Sequence, residues 1–334
     1  MTQPTLLTVV LNWRTPDMTL RAVEAALREM QGLNGALTVV DNASGDGSFA
    51  AISRAVAERG WDHAAIPVRV IQSGRNGGFG AGNNVGIRAG LPGGQRPDYV
   101  YILNSDAFPD PGSIRALHDH LQTRAATGLA GSYIHGDDGR PHATAFRFPS
   151  IASEFETAIR FGPVSKLLKN HIVALPIPQA TTRVDWLAGA SLMLRQNVLD
   201  TVGLFDETFF LYFEETDLCR RAALAGFPTD YVRHSEVTHI GSVSTGMKVW
   251  RRMPDYWFDS RLHYFTKNHG TAYAIAATAA HILGGLLWRA RLLIQTKDRG
   301  DAPFFLRDLT AHALRRLVRL VRRAPAPAVT QPGE

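Results

Sequence analysis

Four short apolar runs, each followed by a segment with helical spacing, recur through the first 130 residues and leave few folds open. The runs are "LLTVVLN" (Leu6–Asn12), "ALTVVDN" (Ala36–Asn42), "VRVIQS" (Val68–Ser73) and "DYVYILN" (Asp98–Asn104). Between them lie "TPDMTLRAVEAALREM", "DGSFAAISRAVAERG" and "GNNVGIRAGL", with "PGSIRALHDHLQTR" after the last. Runs this short and this continuously apolar are strands buried on both faces. The pattern therefore predicts an α/β fold: βαβ units and a Rossmann-like, mostly parallel sheet with helices on both faces. At 334 residues, 45% of them hydrophobic, the chain can close a sizeable core around it. Polar groups stand at one end of every run: Asn12, Asp41-Asn42, Asn76 and Asn104-Ser105-Asp106. That end is where open α/β sheets hold their ligands.

After residue 130 the spacing loosens. "GLAGSYIHGDDGRPHATAFRFPS" reads as two strands around an Asp-Gly turn, and "TTRVDWLAGASLMLR" as another strand pair. "ETDLCRRAALAGF" reads as a helix ending at Gly226, and "TDYVRHSEVTHIGSVS" as extended. A parallel half and a mixed half predict one catalytic domain over 1–250, with nucleotide binding in 1–130 and acceptor binding in 131–250. Residues 251–323 read as a helical, basic region and 324–334 as a disordered tail. Between Arg289 and Arg323 ten Lys/Arg stand against three Asp, a surplus larger than the whole-chain charge of +6. Thr271–Trp288 carries no formal charge, but it is Ala-rich and holds His281 and a Gly-Gly pair. Apolar faces opposed to arginines predict peripheral attachment to a membrane over 271–323, with packing on the core or on a second copy in a homodimer as the alternative. Apolar residues at helical spacing among the arginines argue against nucleic acid.

Composition removes several classes. One cysteine, Cys219, excludes a disulfide framework and a four-cysteine zinc site. The N-terminus lacks a basic stretch and a small-residue cleavage site, so the expected location is cytoplasmic. "GRNGGFGAGNNVGI" (Gly74–Ile87) sits between a strand and a helix, where backbone N–H groups can approach an anion. It lacks the third glycine of a dinucleotide fingerprint and the lysine of a P-loop, which sets aside a nicotinamide oxidoreductase. Glu214, Glu215 and Asp217 open a helix that later carries Arg220 and Arg221. They either satisfy the helix dipole and pair internally, or supply a general base walled by Phe209, Phe210, Tyr212 and Phe213. Asp106 with His239 would suit a divalent cation that keeps positions open for diphosphate oxygens.

The ordered segments "VVLNW", "VVDNASGDGS", "NGGFGAGNNVGI", "ILNSDAF", "WLAGASLMLR", "GLFDETFFLYFEETDLCRRA" and "HIGSVS" resemble the family 2 inverting glycosyltransferases of GT-A fold. The likeness covers roughly residues 5–250 and is strongest to the rhamnosyltransferase-type members; "YWFDSRLHYFTKNHG" resembles the segment they carry after the core. It implies that Asp41 contacts the nucleotide base or ribose, with Asn12, Asn76, Gly78 and Asn83 shaping that pocket. Asn104-Ser105-Asp106 stands in the place of the DxD motif, whose last Asp meets metal and sugar diphosphate. Asp185 and Trp186 fall in the segment lining the donor and acceptor sugars, Glu215 aligns with the catalytic base, and His239 with a histidine of the metal site. This sequence has Asn104 at the first DxD position, and a Glu-Glu pair where Glu-Asp is common. The resemblance implies transfer of L-rhamnose from a deoxythymidine-diphosphate donor, or of another sugar from a UDP donor, with Mg2+ or Mn2+. The acceptor would be a bacterial cell-surface glycan or its lipid-linked precursor at the inner face of the plasma membrane. A non-catalytic sugar-binding protein on the same fold is the reading from a different class.

Overall fold

The computed structural model describes residues 3–241, 252–294 and 302–323. The first half follows the expected alternation: β1 (Thr5–Asn12), α1 (Pro16–Glu29), β2 (Asn34–Asp41), α2 (Ser48–Glu58), β3 (Val68–Gln72), α3 (Phe79–Ala89) and β4 (Tyr99–Asn104). These strands run parallel in the order β3-β2-β1-β4. Period-two alternation divides the core between the two faces of the sheet. Leu6 and Val10 of β1 pack with Val23, Leu37 and Leu117 on one side. Leu7 and Val9 pack with Val40, Ile102 and Leu218 on the other.

The chain continues through β5 (Ala107–Pro109), α4 (Ser113–Thr123), β6 (Leu129–His135), β7 (Ala145–Phe146), α5 (Ile151–Ile159) and α6 (Gly162–Leu167). Then follow β8 (Thr182–Val184), β9 (Trp186–Leu187), β10 (Ser191–Arg195), α7 (Gln196–Val202), α8 (Glu214–Leu224) and β11 (Thr229–His239). Among the described residues the main sheet has nine strands, extended past β4 in the order β10-β6-β11-β5, with β8 on β11. β10 enters antiparallel between β4 and β6, while β11 runs parallel to β6 and antiparallel to β5.

The second half departs from expectation in detail. β7 pairs with β9 in a separate two-stranded sheet, not with β6. "TTRVDWLAGASLMLR", expected as a strand pair, is three strands, β8 on β11, β9 on β7 and β10 between β4 and β6, because Asp185 and the Gly189-Ala190 step break the run. α5 and α6 carried no recognised sequence signal. The extended reading holds to His239; its last residues, 242–244, and the 324–334 tail lie outside the described residues.

Three helices close the chain: α9 (Asp255–His269), α10 (Thr271–Leu292) and α11 (Phe305–Arg323). They dock on the second half of the chain, α10 against α5 and α9 against α8. At Gly284 the α5 backbone comes so near α10 that an added Cβ would sit 2.8 Å from the Phe155 carbonyl oxygen. Glu154 of α5 joins the three elements, lying 2.9 Å from Arg261 Nη2 and 2.6 Å from His281 Nδ1.

Candidate active site

β1 is the middle of three strands whose ends carry the polar groups. Asn12 lies opposite Asp41 of β2, and Leu11 opposite Asn104 of β4. Two strand spacings, about 10 Å, therefore separate Asp41 from Asn104. Asn12 Nδ2 donates to Asp41 Oδ1 at 2.7 Å, and Ser44 adds its Oγ (2.6 Å) and backbone N–H (3.2 Å). Asp41 is only 1% exposed, so this network holds a buried carboxylate rigid at the strand end.

The glycine-rich loop does something other than cradle an anion. Gly78, at φ +90, is pressed against the loop before α8: a Cβ there would lie 1.7 Å from the Phe210 carbonyl oxygen. That carbonyl accepts from Phe79 N at 3.0 Å, and Asn76 Oδ1 accepts from Gly78 N at 3.1 Å. Of two N–H groups expected to face a phosphate, that of Phe79 thus ties α3 to the α8 loop and that of Gly78 is used within its own loop. Gly82 and Gly86 serve close packing, since Cβ atoms there would strike Leu11 and Val9 of β1. Asn42 Nδ2 donates to Asn76 Oδ1 (3.0 Å) and Gly78 O (3.2 Å). Asn83 donates to Phe79 O at 3.0 Å while its Oδ1 is buried without a partner. Its neighbour Asn84 clasps Phe205 O and Glu207 instead.

At the end of β4, residues 133 apart in sequence converge. His239 Nε2 is 3.1 Å from Asp106 Oδ1 and 3.4 Å from Asn104 Nδ2. The β11–β5 pairing causes this, matching His239 to Ala107 next to Asp106. Ser105 is buried beside them, 3.4 Å from Thr15 Oγ1. A carboxylate, an imidazole and an amide converging on one corner match the oxygen and nitrogen ligands that Mg2+ or Mn2+ takes. A second group, Asp110, His135 and Glu236, also brings ligand atoms within 4.8 Å of one another. Glu236 is two positions from Thr238 and three from His239, so strand alternation puts it on the other sheet face from His239. It already bonds Arg233 at 2.7 Å, and His135 lies 2.8 Å from Asp110. No sequence signal joined these three residues.

The acidic helix separates its three carboxylates. Tyr212 (φ 70) and Phe213 (φ 69) both take the left-handed conformation immediately before Glu214. Two adjacent aromatics there cost about 1–2 kcal/mol each, a strain typical of functional loops. Glu214 is 2% exposed, and its carboxyl is raised well above the ordinary range by burial and then by the Glu215 charge. Burial also raises Glu215, partly relieved by backbone N–H donors including that of Gly189. Gly189 links Glu215 to the Asp106 corner, because the next residue, Ala190, accepts from Asn104 N at 3.0 Å. Asp217 is different. Fully buried, it bonds Arg221 Nε (2.7 Å), Lys267 Nζ (2.8 Å) and Asn268 Nδ2 (3.1 Å), leaving neither oxygen free for a substrate.

Asp185 and Trp186 hold the small β7–β9 sheet. Asp185 Oδ2 accepts from Phe148 N at 2.8 Å. Trp186 stacks on Phe146 with centroids 4.1 Å apart, and its Nε1 donates to Arg147 O. The sequence reading had singled out neither Gly189 nor the α9 residues Lys267 and Asn268. The "YWFDSRLHYFTKNHG" run was the signal that could have found the latter pair.

A family model described as "Glycosyltransferase like family 2" matches residues 4–261. An N-acetylglucosaminyl-diphospho-decaprenol L-rhamnosyltransferase of Mycobacterium tuberculosis is 31% identical over 242 residues, covering 70% of this chain and 77% of that protein. The Escherichia coli rhamnosyltransferase WbbL is 27% identical, covering 48% of this chain and 60% of that one. Among solved structures, a Pyrobaculum calidifontis mannosyltransferase in complex with GDP-Man and Mn2+ superposes with a TM-score of 0.54 at 14% identity, covering 95% and 88% of the two chains.

Proposed function

Because the chain belongs to glycosyltransferase family 2 and has the GT-A fold, we propose that it moves L-rhamnose from a deoxythymidine-diphosphate donor to a lipid-linked saccharide. The rhamnosyltransferases among its relatives support the sugar, and the prenyl-diphosphate acceptor in the name of the first supports the lipid. The observation that carries the chemistry is the Gly189-Ala190 peptide, which joins Glu215 on one side to Asn104 on the other.

Glu215 acts as the general base. Its raised carboxyl accepts the acceptor hydroxyl's proton as that oxygen bonds the anomeric carbon. The bond from that carbon to the nucleoside diphosphate breaks on the opposite face, so the configuration inverts. Beside it, burial and the Glu215 charge hold the Glu214 carboxyl well above the ordinary range. Asp41, with Asn12 and Ser44, forms the floor of the nucleoside pocket; Asn76, Gly78 and Asn83 fix the wall that abuts the base-bearing loop. A divalent cation, when bound, would neutralise charge on the leaving diphosphate. Asp106 and His239, with Asn104 beside them, are the side chains that would hold it. Asp185 and Trp186 act on the acceptor side through the β7–β9 sheet they fix.

The membrane reading rests on surface chemistry. α10 is long and apolar enough to cross a bilayer by composition. Its Arg261–Glu154–His281 contact with α9 and α5 suits an interfacial position at the cytoplasmic face better than a span. The test is kinetic. Glu215→Gln should fold, bind donor nucleotide in a thermal-shift assay, and lose about 10²–10⁴ in kcat. Near wild-type turnover would remove Glu215 from the role. A stronger thermal shift with UDP than with dTDP would move the donor to the UDP sugars.

A further inference from the structure

The three C-terminal helices enclose a mostly apolar groove of about 390 Å3 that plays no part in the chemistry above. Phe258 and Leu262 of α9, Ile275 and Ala279 of α10, and Leu314 and Leu317 of α11 line it. It opens to solvent, since Ile275 is 45% and Leu314 57% exposed. Beyond it α10 presents the exposed Leu283, Leu286 and Leu287. An exposed apolar surface of this extent marks an interaction site.

Two features select an occupant. The first is charge: Arg316, which lines the groove, is engaged by Asp259, whereas its neighbour Arg315 is more than half exposed and only loosely paired, 3.9 Å from Asp255 at the start of α9. An apolar trough with a guanidinium at one end complements a hydrocarbon chain that carries an anionic head. The second is continuity with the catalytic loop. Tyr256, one residue past Asp255, packs on Phe210 (5.3 Å between centroids) and stacks near Tyr212 (6.5 Å), both on the loop that leads into Glu214. Leu262 is six residues further along the same helix, a rise of about 9 Å. One face of α9 therefore meets the base-bearing loop, and its other face forms the groove.

We propose that this groove holds the diphosphate-proximal units of the acceptor's isoprenoid chain, with the diphosphate at the Arg315 end and the sugar at the Phe210–Tyr212–Tyr256 lip. The inference rests on the reading of the acceptor as a prenyl-diphosphate-linked sugar. A bilayer would cover the convex face at Leu283, Leu286 and Leu287; a trough walled by three helices fits one chain.

The test uses the full-length protein, dTDP-rhamnose, and N-acetylglucosaminyl diphosphate carried on a ten-unit or a two-unit prenyl chain. Wild type should show a KM at least about tenfold lower for the ten-unit chain, the ratio expected of additional buried methylenes. Ala279→Trp fills the trough from a solvent-facing position and should abolish that preference. Ala276→Trp, on the same helix but outside the trough, should preserve it. In parallel, binding of decaprenyl diphosphate in detergent micelles should weaken about tenfold in Ala279→Trp alone. Transfer by Ala279→Trp with the long-chain preference and micellar binding intact overturns the groove while the proposed reaction stands. Loss of binding to phosphatidylglycerol vesicles by Ala279→Trp, with the chain-length preference unchanged, also overturns it, making the trough a bilayer contact. Specific decaprenyl diphosphate binding without transfer to either acceptor leaves the groove standing and overturns the acceptor reading.

Discussion

Glu214 and Glu215 are neighbours in sequence with different surroundings. Glu215 has a backbone donor across the cleft at Gly189, whereas Glu214 has burial and a like charge beside it. A carboxyl raised in the folded state holds a proton that the unfolded chain releases above about 4.5. The wild type therefore loses stability from this residue as pH rises past that value. Glu214→Gln cannot ionise, so urea unfolding should find it more stable than wild type at pH 8, with the difference vanishing near pH 4. Equal stability at both pH values would place the Glu214 carboxyl in the ordinary range.

At the scale of elements, α8 is held from two sides. Its first turn sits on the left-handed Tyr212-Phe213 step, and Asp217 anchors it to Arg221 on its own helix and to Lys267 and Asn268 of α9. Asp217→Asn removes a fully buried charge from between two cations and should lower the unfolding free energy by about 3 kcal/mol in urea titration. A loss under 1 kcal/mol would mean that Lys267 and Arg221 are satisfied elsewhere. This role was not legible in the sequence, where Asp217 shares a short acidic cluster with Glu214 and Glu215 and its partners lie 50 residues on. The parallel strands were legible because burial on both faces leaves an unbroken apolar run, as in "TVVLN" and "YVYILN". β7 and β9, two residues each, are too short to show any period. The polar ends of β4 and β11 were legible, and the fold brings Asp106 and His239 together there. The packing role of the loop's glycines, Gly78 against Phe210 and Gly82 and Gly86 against β1, was not legible, because only the folded chain brings those neighbours close.

For the whole molecule, the C-terminal helices are part of one packed body. Burial raises the Glu154 carboxyl, but Arg261 and His281 outweigh it and bring it down to about 2. Its contribution to docking is complete above the unfolded value near 4.5 and lost as pH falls toward 2, about 3 kcal/mol in all. Amides of α10 should accordingly exchange faster between pH 4 and pH 2 than those of β1. A uniform acceleration would indicate global unfolding instead. Truncation before Thr271 would uncover α5, so membrane attachment is better probed by Leu286→Glu, at a position 55% exposed. That variant should keep its Tm and lose sedimentation with phosphatidylglycerol vesicles; retained binding would direct attention away from this face. The register that unites Asp106 with His239 also carries a temporal consequence. Ribosomes add about 5–20 residues each second. The stretch of chain that separates Asp106 from His239, 133 positions, thus takes on the order of ten seconds to make. During that interval the nascent first half can fold around β1–β4 with Asp106 still lacking its imidazole neighbour. The emerging chain thus passes through a stage in which Asp106 has no imidazole beside it; on the proposed reading of this corner as the cation site, competence for transfer arrives only as β11 takes its place in the sheet.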